Sequence, residues 1–552
     1  MIRLRDITLP VASWAEAART FTLPPVSRYH IATDCLRHDP DRTALILVDD
    51  GRRVSFGELD QRTARLATAL VRLGLRAGDR VAVWLSQSEA MATAVLAALR
   101  AGAVVVPIST VLGEDSVRHR LTDSGARIVI AEGSDRQAAL AAEVGATLLT
   151  TADAGHGRRL ADLIAATGPA GPALPDAPAG APALLLYTSG TTGKSKGVLH
   201  GHRVLLGHYG VGYAMDLVRP GDVAYSPVDW AWAGGLFLGL LFPLAHGIPV
   251  VVHRAPRFDP ARALALLRDC RVSVGLFPPT ALRLLRSSGE VTPRVAAGLR
   301  LRCLVTGAEA VEPELSGWVR EELHATLNNA FGQTEANALI GHSGVLGALD
   351  PACLGRAYPG HRIALLDDDL RPVSAGEPGQ IAVRADDPVC MLEYWRAPAA
   401  TAAKVRGGWL LTGDIAHTDA AGQFHFHGRD DDIIKSGGYR LGPAEVEAAI
   451  LRQPGVAGCA VVGLPDPVRG QVVTAFVQLH AGQPSEDLSQ RLRERVRAEV
   501  GAHAYPRTVH YVQSLPLTTT GKVDRAALRR TALAAPDGQP DRQQHRQEGG
   551  DR

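Results

Sequence analysis

The stretch LLLYTSGTTGKSKGVLH, residues 184–200, constrains the chain more than any other. The apolar run 183–187 reads as a buried strand, and a loop of small hydroxyl residues, glycines and two lysines follows it. Gly190, Gly193 and Gly197 permit unusual backbone angles and close approach of a ligand. Backbone N–H groups, the hydroxyls of Thr188, Ser189, Thr191 and Thr192, and the ammonium groups of Lys194 and Lys196 would suit a polyphosphate. A Walker A loop is excluded, because position 188, where its first glycine belongs, is threonine. The same composition also describes a plain Gly/Ser/Thr surface loop. The adjoining strand and paired lysines weigh against that alternative.

A chain of 552 residues is too long for one core. Arg80–Leu85, Ser88–Ala101, Val104–Pro107, Glu114–Ser124 and Arg127–Ala131 alternate strand, helix, strand, helix, strand. That alternation implies a parallel sheet covered by helices. Residues 25–60 are expected to wrap the outside of this first lobe, and 152–182, rich in Ala, Gly and Pro, to form a connector. A second alternating block runs through strands at Ser273–Phe277 and Arg302–Thr306 to a helix at Pro313–Leu323. Short strands broken by Gly and Pro from 352 to 428 suggest a small antiparallel barrel or sheet. Beyond the charged stretch GRDDDIIK, 428–435, the pattern is a compact α+β domain. Residues 536–552 read as a disordered tail.

Trp230 to Val252 carries no formal charge, but Gly234, Gly235, Pro243, Gly247 and Pro249 punctuate it. It reads as a buried helix ending near Ala245, then a strand at Ile248–Val252, with no membrane span. A net charge of +2 gives no reason to expect nucleic acid as a partner. Six scattered cysteines look like reduced residues of a cytoplasmic protein, and the N-terminus makes a poor signal peptide.

Further stretches carry chemistry. Thr306-Gly307-Ala308-Glu309 ends a predicted strand, where such sheets bind ligands; alone it would be an ordinary strand-to-helix turn. In Asn329-Ala-Phe331-Gly332-Gln-Thr334-Glu335 the aromatic could border a base or the substrate, the hydroxyl touch phosphate and the carboxylate hold Mg²⁺. The alternative there is a solvated helix start capped by Thr334. Asp414 and Arg429, separated by FHFHG, suit ribose hydroxyls and phosphate oxygens. The segment from Lys435 to Pro443, KSGGYRLGP, precedes Glu445 and Glu447, and Lys522 sits on a glycine loop near the end.

These strings, in this order, resemble the adenylate-forming superfamily of acyl-CoA synthetases, luciferases and peptide-synthetase adenylation domains. The resemblance covers about residues 30–530. It implies an α/β chain: a large N-terminal domain, 1–429, of two parallel-sheet subdomains plus a small β-barrel, then a small mobile α+β C-terminal domain, 430–535. It also implies site roles. Thr188, Ser189, Gly190, Thr191, Thr192, Gly193 and Lys196 bind the phosphates of ATP; Gly307, Ala308, Glu309, Asn329, Phe331 and Gly332 line the nucleotide pocket. Thr334 contacts phosphate, Glu335 the metal, and Asp414 with Arg429 the ribose. Arg440 approaches the AMP phosphate, and Lys522 bridges the carboxylate and α-phosphate during adenylation. Gly437, Gly438 and Tyr439 take the pantetheine arm of CoA, and Asp431 falls at the inter-domain hinge.

Two departures matter. Gly437 is an added glycine, and the segment Pro227–Trp232 lacks the histidine of many aryl- and fatty-acid-activating relatives. That looks like the acetyl- and medium-chain branch. Trp230, Trp232, Thr306 and Gly332 are the expected acyl-pocket residues. Acetate-activating relatives carry tryptophan at the position of Gly332, so a deeper pocket and a short- to medium-chain acid larger than acetate are expected. The competing expectation is that Gly332 only relieves a tight turn. The reading is an AMP-forming acyl-CoA synthetase using ATP, Mg²⁺ and coenzyme A. Its alternatives are an aromatic or alicyclic acid ligase, an enzyme loading a carrier-protein thiol, and a non-catalytic nucleotide-binding paralogue. A homodimer, and an acetyltransferase and deacetylase acting on Lys522, are further partner expectations.

Overall fold

Continuous apolar runs such as Val104–Pro107 and Ile128–Ala131 are buried along their whole length, as strands covered on both faces must be. The computed structural model describes residues 13–21, 27–153, 155–168, 173–188, 195–254, 257–307, 311, 313–346, 353–430, 432, 434–436, 439–466, 470–480, 484–501, 504–517 and 523–534. These fall into two units, the first ending at Phe426 and the second starting at His427.

In the first unit, an eight-stranded sheet runs Glu393–Tyr394, Gly197–Gly201, Pro182–Tyr187, Val104–Pro107, Arg80–Trp84, Ile128–Ala131, Thr147–Thr150, Arg158–Arg159. It is parallel from Pro182–Tyr187 onward and antiparallel before that. A nine-stranded sheet runs Arg356–Ala357, Ala336–Gly341, Thr326–Gln333, Cys303–Gly307, Val274–Leu276, Ala224–Tyr225, Val250–Val252, Thr43–Leu47, Arg52–Ser55. Its middle is parallel and its two ends antiparallel. One apolar core joins the two sheets through residues such as Leu45, Val81, Leu184, Leu205 and Val305. The helix Glu89–Arg100, capped by Ser88 and buried from Met91 onward, lies within it.

Residues 25–60 do not wrap the outside as expected. The helix Ile31–Leu36 is wholly buried, and Thr43–Leu47 pairs with Val250–Val252 inside the nine-stranded sheet. The apolar run Ala44–Leu47 explains this, since it is buried throughout.

The 233–245 segment is helical, with a π-helical turn at Phe237–Leu241. Pro243 causes it: proline has no N–H to bond the carbonyl four residues back, and its ring crowds that carbonyl. Among the described residues no helix is long and apolar enough to cross a membrane. The expected small barrel is a five-stranded antiparallel sheet built from Ile363–Leu366, Gly379–Arg384, Val405–Arg406, Trp409–Thr418 and Phe424–Arg429.

The second unit has its own five-stranded sheet. The long hairpin Val456–Asp466 and Gly470–Leu479 forms its centre, with Thr508–Tyr511 parallel to the latter strand. Helices Pro443–Leu451 and Glu486–Glu499 cover it with Val446, Ile450, Leu492 and Val496. A closing helix, Arg525–Ala534, was not foreseen from the sequence. Residues 535–552 lie outside the described residues.

Candidate active site

The motif at 329–335 is not a helix start. It ends the strand Thr326–Gln333, turns at Thr334 and Glu335, and returns as Ala336–Gly341. The register shifts between Phe331 and Gln333, so Gly332 sits in a β-bulge, a device that re-aims neighbouring side chains. A Cβ on Gly332 would lie 2.4 Å from the backbone nitrogen of Ala338 and 3.0 Å from the carbonyl of Ala336. The glycine serves close backbone approach; its missing side chain faces main chain rather than open space. Gly332 therefore lends no support to a deeper pocket, and the tight-turn alternative accounts for the residue.

Three groups fix the turn. The His200 Nε2–H donates to the Thr334 carbonyl at 2.7 Å, and the Met391 N–H donates to the Glu335 carbonyl at 2.8 Å. The Tyr394 hydroxyl donates to Glu335 Oε1 at 2.5 Å. His200 is fully buried, and burial pushes its pKa down to about 4, so the ring is neutral at pH 7. Among the described residues Glu335 Oε2 has no hydrogen-bond partner.

Gln333 faces Asp414. Its amide donates to Asp414 Oδ2 at 3.1 Å and to the Thr412 carbonyl at 3.0 Å. Lys404 donates to the same carbonyl at 2.9 Å. The single hairpin thus orients both the carboxylate assigned to ribose and the one assigned to metal.

The base of the phosphate loop is closed by the Thr188 N–H on the Lys196 carbonyl at 3.0 Å, between antiparallel strands Pro182–Tyr187 and Gly197–Gly201. Lys196 Nζ lies 5.3 Å from the ring centroid of Tyr394. Gly307 ends its strand beside Ala330, where an added Cβ would meet the Ala330 carbonyl at 2.3 Å. The carbonyl of Asn329 accepts from the His342 N–H at 2.9 Å. Phe331 packs 6.2 Å from the Phe426 ring.

Trp230 (1% exposed) and Thr306 (0%) are sealed in the core, each with a polar atom lacking a hydrogen-bond partner among the described residues. Neither presents surface to a substrate in this arrangement, whereas Trp232 is half-buried. Asp229, beside Trp230, accepts from Ser109 Oγ at 2.5 Å; burial raises its pKa.

In the second unit, Arg429 closes the strand Phe424–Arg429, and the backbones of Tyr439 and Arg440 pair with Ser436 and Lys435. Glu447 accepts two hydrogen bonds from Arg525, at 2.6 and 2.8 Å, which ties the Glu-Val-Glu helix to the segment just after Lys522. Ser189, Gly190, Thr191, Thr192, Gly193, Lys194, Ala308, Glu309, Asp431, Gly437, Gly438 and Lys522 lie outside the described residues. Sequence reasoning passed over His200 and Tyr394, whose roles depend on pairing across strands. Gln333 was missed although it stands inside the motif.

Two lobes with parallel-sheet cores, a phosphate-type loop and a carboxylate-bearing hairpin define an adenylate-forming enzyme fold. The AMP-binding enzyme family matches residues 33–395, and the AMP-binding enzyme C-terminal domain matches 445–522. The chain belongs to the AMP-binding enzyme family. It is 29% identical to the acetyl-coenzyme A synthetase of Bacillus subtilis over 95% of this chain and 94% of that protein. It is 30% identical to the mitochondrial acyl-coenzyme A synthetase ACSM3 of Rattus norvegicus, over 87% and 84%. The crystal structure of ATP-bound MatB from Rhodopseudomonas palustris, 29% identical, superposes with a TM-score of 0.82 over 92% of this chain and 99% of that one. The protein is an AMP-forming acid–CoA ligase that uses ATP and CoA to activate a small carboxylic acid.

Proposed function

We propose that the acid is a short- to medium-chain fatty acid larger than acetate. The observation that supports this is the open space at Gly234, in the helix Ala233–Leu236, facing Leu276 at the end of a parallel strand. Ala233, Leu238, Leu276, Ala330 and Ala338 pack on the core yet stay partly exposed. Gly234, exposed beside them, has open space where a side chain would stand, with only Leu276 Cδ2 within 4 Å, at 3.6 Å.

The chemistry assigned to the site has two steps. A substrate carboxylate oxygen attacks the α-phosphorus of ATP, and pyrophosphate leaves, giving acyl-AMP. The CoA sulfur then attacks the acyl carbonyl as its proton is lost, and AMP leaves. Lys196 and Thr334 would hold phosphate oxygens and Asp414 the ribose hydroxyls, the last oriented by Gln333. Lys522 would stabilise the charge that develops in the first step, and Arg440 the AMP phosphate. Gly437, Gly438 and Tyr439 would receive the pantetheine arm after rotation about Asp431.

Glu335 fits Mg²⁺ by its donor chemistry: a hard carboxylate with one oxygen held by Tyr394 and the other without a partner among the described residues. Bound there, Mg²⁺ would neutralise phosphate charge as pyrophosphate departs.

The test is pyrophosphate release across acetate, butyrate, octanoate, benzoate and phenylacetate, in wild type and Gly234→Leu. Each buried methylene contributes about 0.8 kcal/mol, so octanoate, with six more methylenes, should exceed acetate by about three orders of magnitude in kcat/KM if all are buried. Gly234→Leu should reverse that order while leaving acetate nearly unchanged. Preference for acetate or benzoate in wild type overturns the proposal.

A further inference from the structure

We infer that Tyr394 is a positioning residue for adenylation, holding the metal-binding carboxylate by its hydroxyl and the phosphate-loop lysine by its ring. The inference rests on the assignment of Glu335 to metal and Lys196 to phosphate. Tyr394 belongs to the two-residue strand Glu393–Tyr394, paired with the strand Gly197–Gly201 that begins just after Lys196. The peptide around it is fastened at both sides. Met391 N–H bonds the Glu335 carbonyl at 2.8 Å, Leu392 N–H the Leu199 carbonyl at 2.7 Å, and Trp395 N–H the Gly197 carbonyl at 2.7 Å. The Tyr394 N–H itself is taken by Thr401 Oγ1 at 2.9 Å. The phenol is therefore delivered between the two elements it touches by backbone bonds to both.

Two of its contacts act on different groups. The hydroxyl donates to Glu335 Oε1 at 2.5 Å, a charge-assisted hydrogen bond shielded from water by a side chain only 7% exposed. It occupies one carboxylate oxygen and leaves Oε2, which has no hydrogen-bond partner among the described residues, to serve as the ligand. The ring face sits 5.3 Å from Lys196 Nζ, near enough for a cation–π attraction that restrains the ammonium. Lys196 and Glu335 form no ion pair with each other. With the ring removed, the lysine and the carboxylate can collapse together, which would withdraw one from phosphate and the other from metal.

The two contacts can be separated by substitution. Tyr394→Phe keeps the ring and loses the hydroxyl; Tyr394→Ala loses both. The experiment is calorimetric titration of ATP into the full-length protein, with Mg²⁺ and with EDTA, for wild type, Tyr394→Phe, Tyr394→Ala and Glu335→Gln. Tyr394→Phe should weaken MgATP by about tenfold, the usual cost of releasing a held metal-ligating carboxylate, and leave metal-free ATP within about twofold. Tyr394→Ala should weaken both. Equal loss with and without Mg²⁺ in Tyr394→Phe, or no loss in either, overturns the inference. Should Tyr394→Ala fail to fold, Tyr394→Phe decides alone. Glu335→Gln separates the levels. If it loses MgATP selectively and Tyr394→Phe does not, only the role of Tyr394 falls. If it shows no selective loss, the metal assignment falls, and this inference with it.

Discussion

Replacing Gly332 by alanine should disable adenylation while leaving most of the molecule folded. The Cβ of alanine would stand 2.4 Å from the Ala338 nitrogen and 3.1 Å from the Asn337 carbonyl carbon, both main-chain atoms that no side-chain rotation can move. A carbon–nitrogen contact needs about 3.4 Å or more at ordinary packing, so the two strands must part by roughly 1 Å. Gln333, Thr334 and Glu335 ride on the strand end that moves. A displacement of about 1 Å in groups that orient a reaction costs around a hundredfold in rate. The assay is ATP–pyrophosphate exchange at saturating octanoate, alongside thermal unfolding. A hundredfold loss of exchange with a Tm drop of a few degrees is expected. Wild-type exchange in Gly332→Ala would refute the reasoning, because the bulge would then tolerate what its geometry forbids. Gly332→Trp, by the same token, reports on the hairpin rather than on pocket depth.

Gln333→Ala should raise KM for ATP about tenfold, since it removes a hydrogen bond to the Asp414 carboxylate, with little change in KM for CoA; an unchanged ATP KM contradicts the role given to Gln333. Lys522→Ala should abolish acyl-AMP formation yet leave thioester formation from supplied acyl-AMP; full-speed adenylation in the variant removes that assignment. Acid should destabilise the first unit below pH 6.5. Burial holds His30, His200, His208 and His246 at about 4 and His202 at about 3, against about 6.5 when unfolded. Between those values the unfolded chain binds protons that the native one excludes, so stability is complete above pH 6.5 and falls as pH drops towards 4. Each histidine accounts for up to about 3 kcal/mol across that window. A Tm that stays level from pH 7 to pH 5 contradicts this.

Much of the architecture was legible because it rests on local pattern. Buried parallel strands such as Val104–Pro107 announce themselves as short apolar runs, and the helices between them carry apolar residues at helical spacing. Thr43–Leu47 was misplaced because its partner, Val250–Val252, lies two hundred residues away, and nothing local records that pairing. The hairpin at Thr334–Glu335 was open to two readings for a similar reason. A Gln-Thr-Glu triplet suits a helix start as well as a turn, and the choice is made by the bulge at Gly332 and by His200 and Met391 gripping the turn from other strands. Motif spacing pointed to Glu335 and Asp414, but not to Tyr394 or Gln333, which act on those carboxylates through contacts invisible along the chain.

The most direct test of the central claim is a product balance with octanoate, ATP, Mg²⁺ and CoA. The account predicts octanoyl-CoA, AMP and pyrophosphate in equal amounts, with AMP release falling sharply when CoA is withheld and acyl-AMP remaining on the enzyme. Formation of ADP and phosphate, or AMP release at the same rate without CoA, would contradict it.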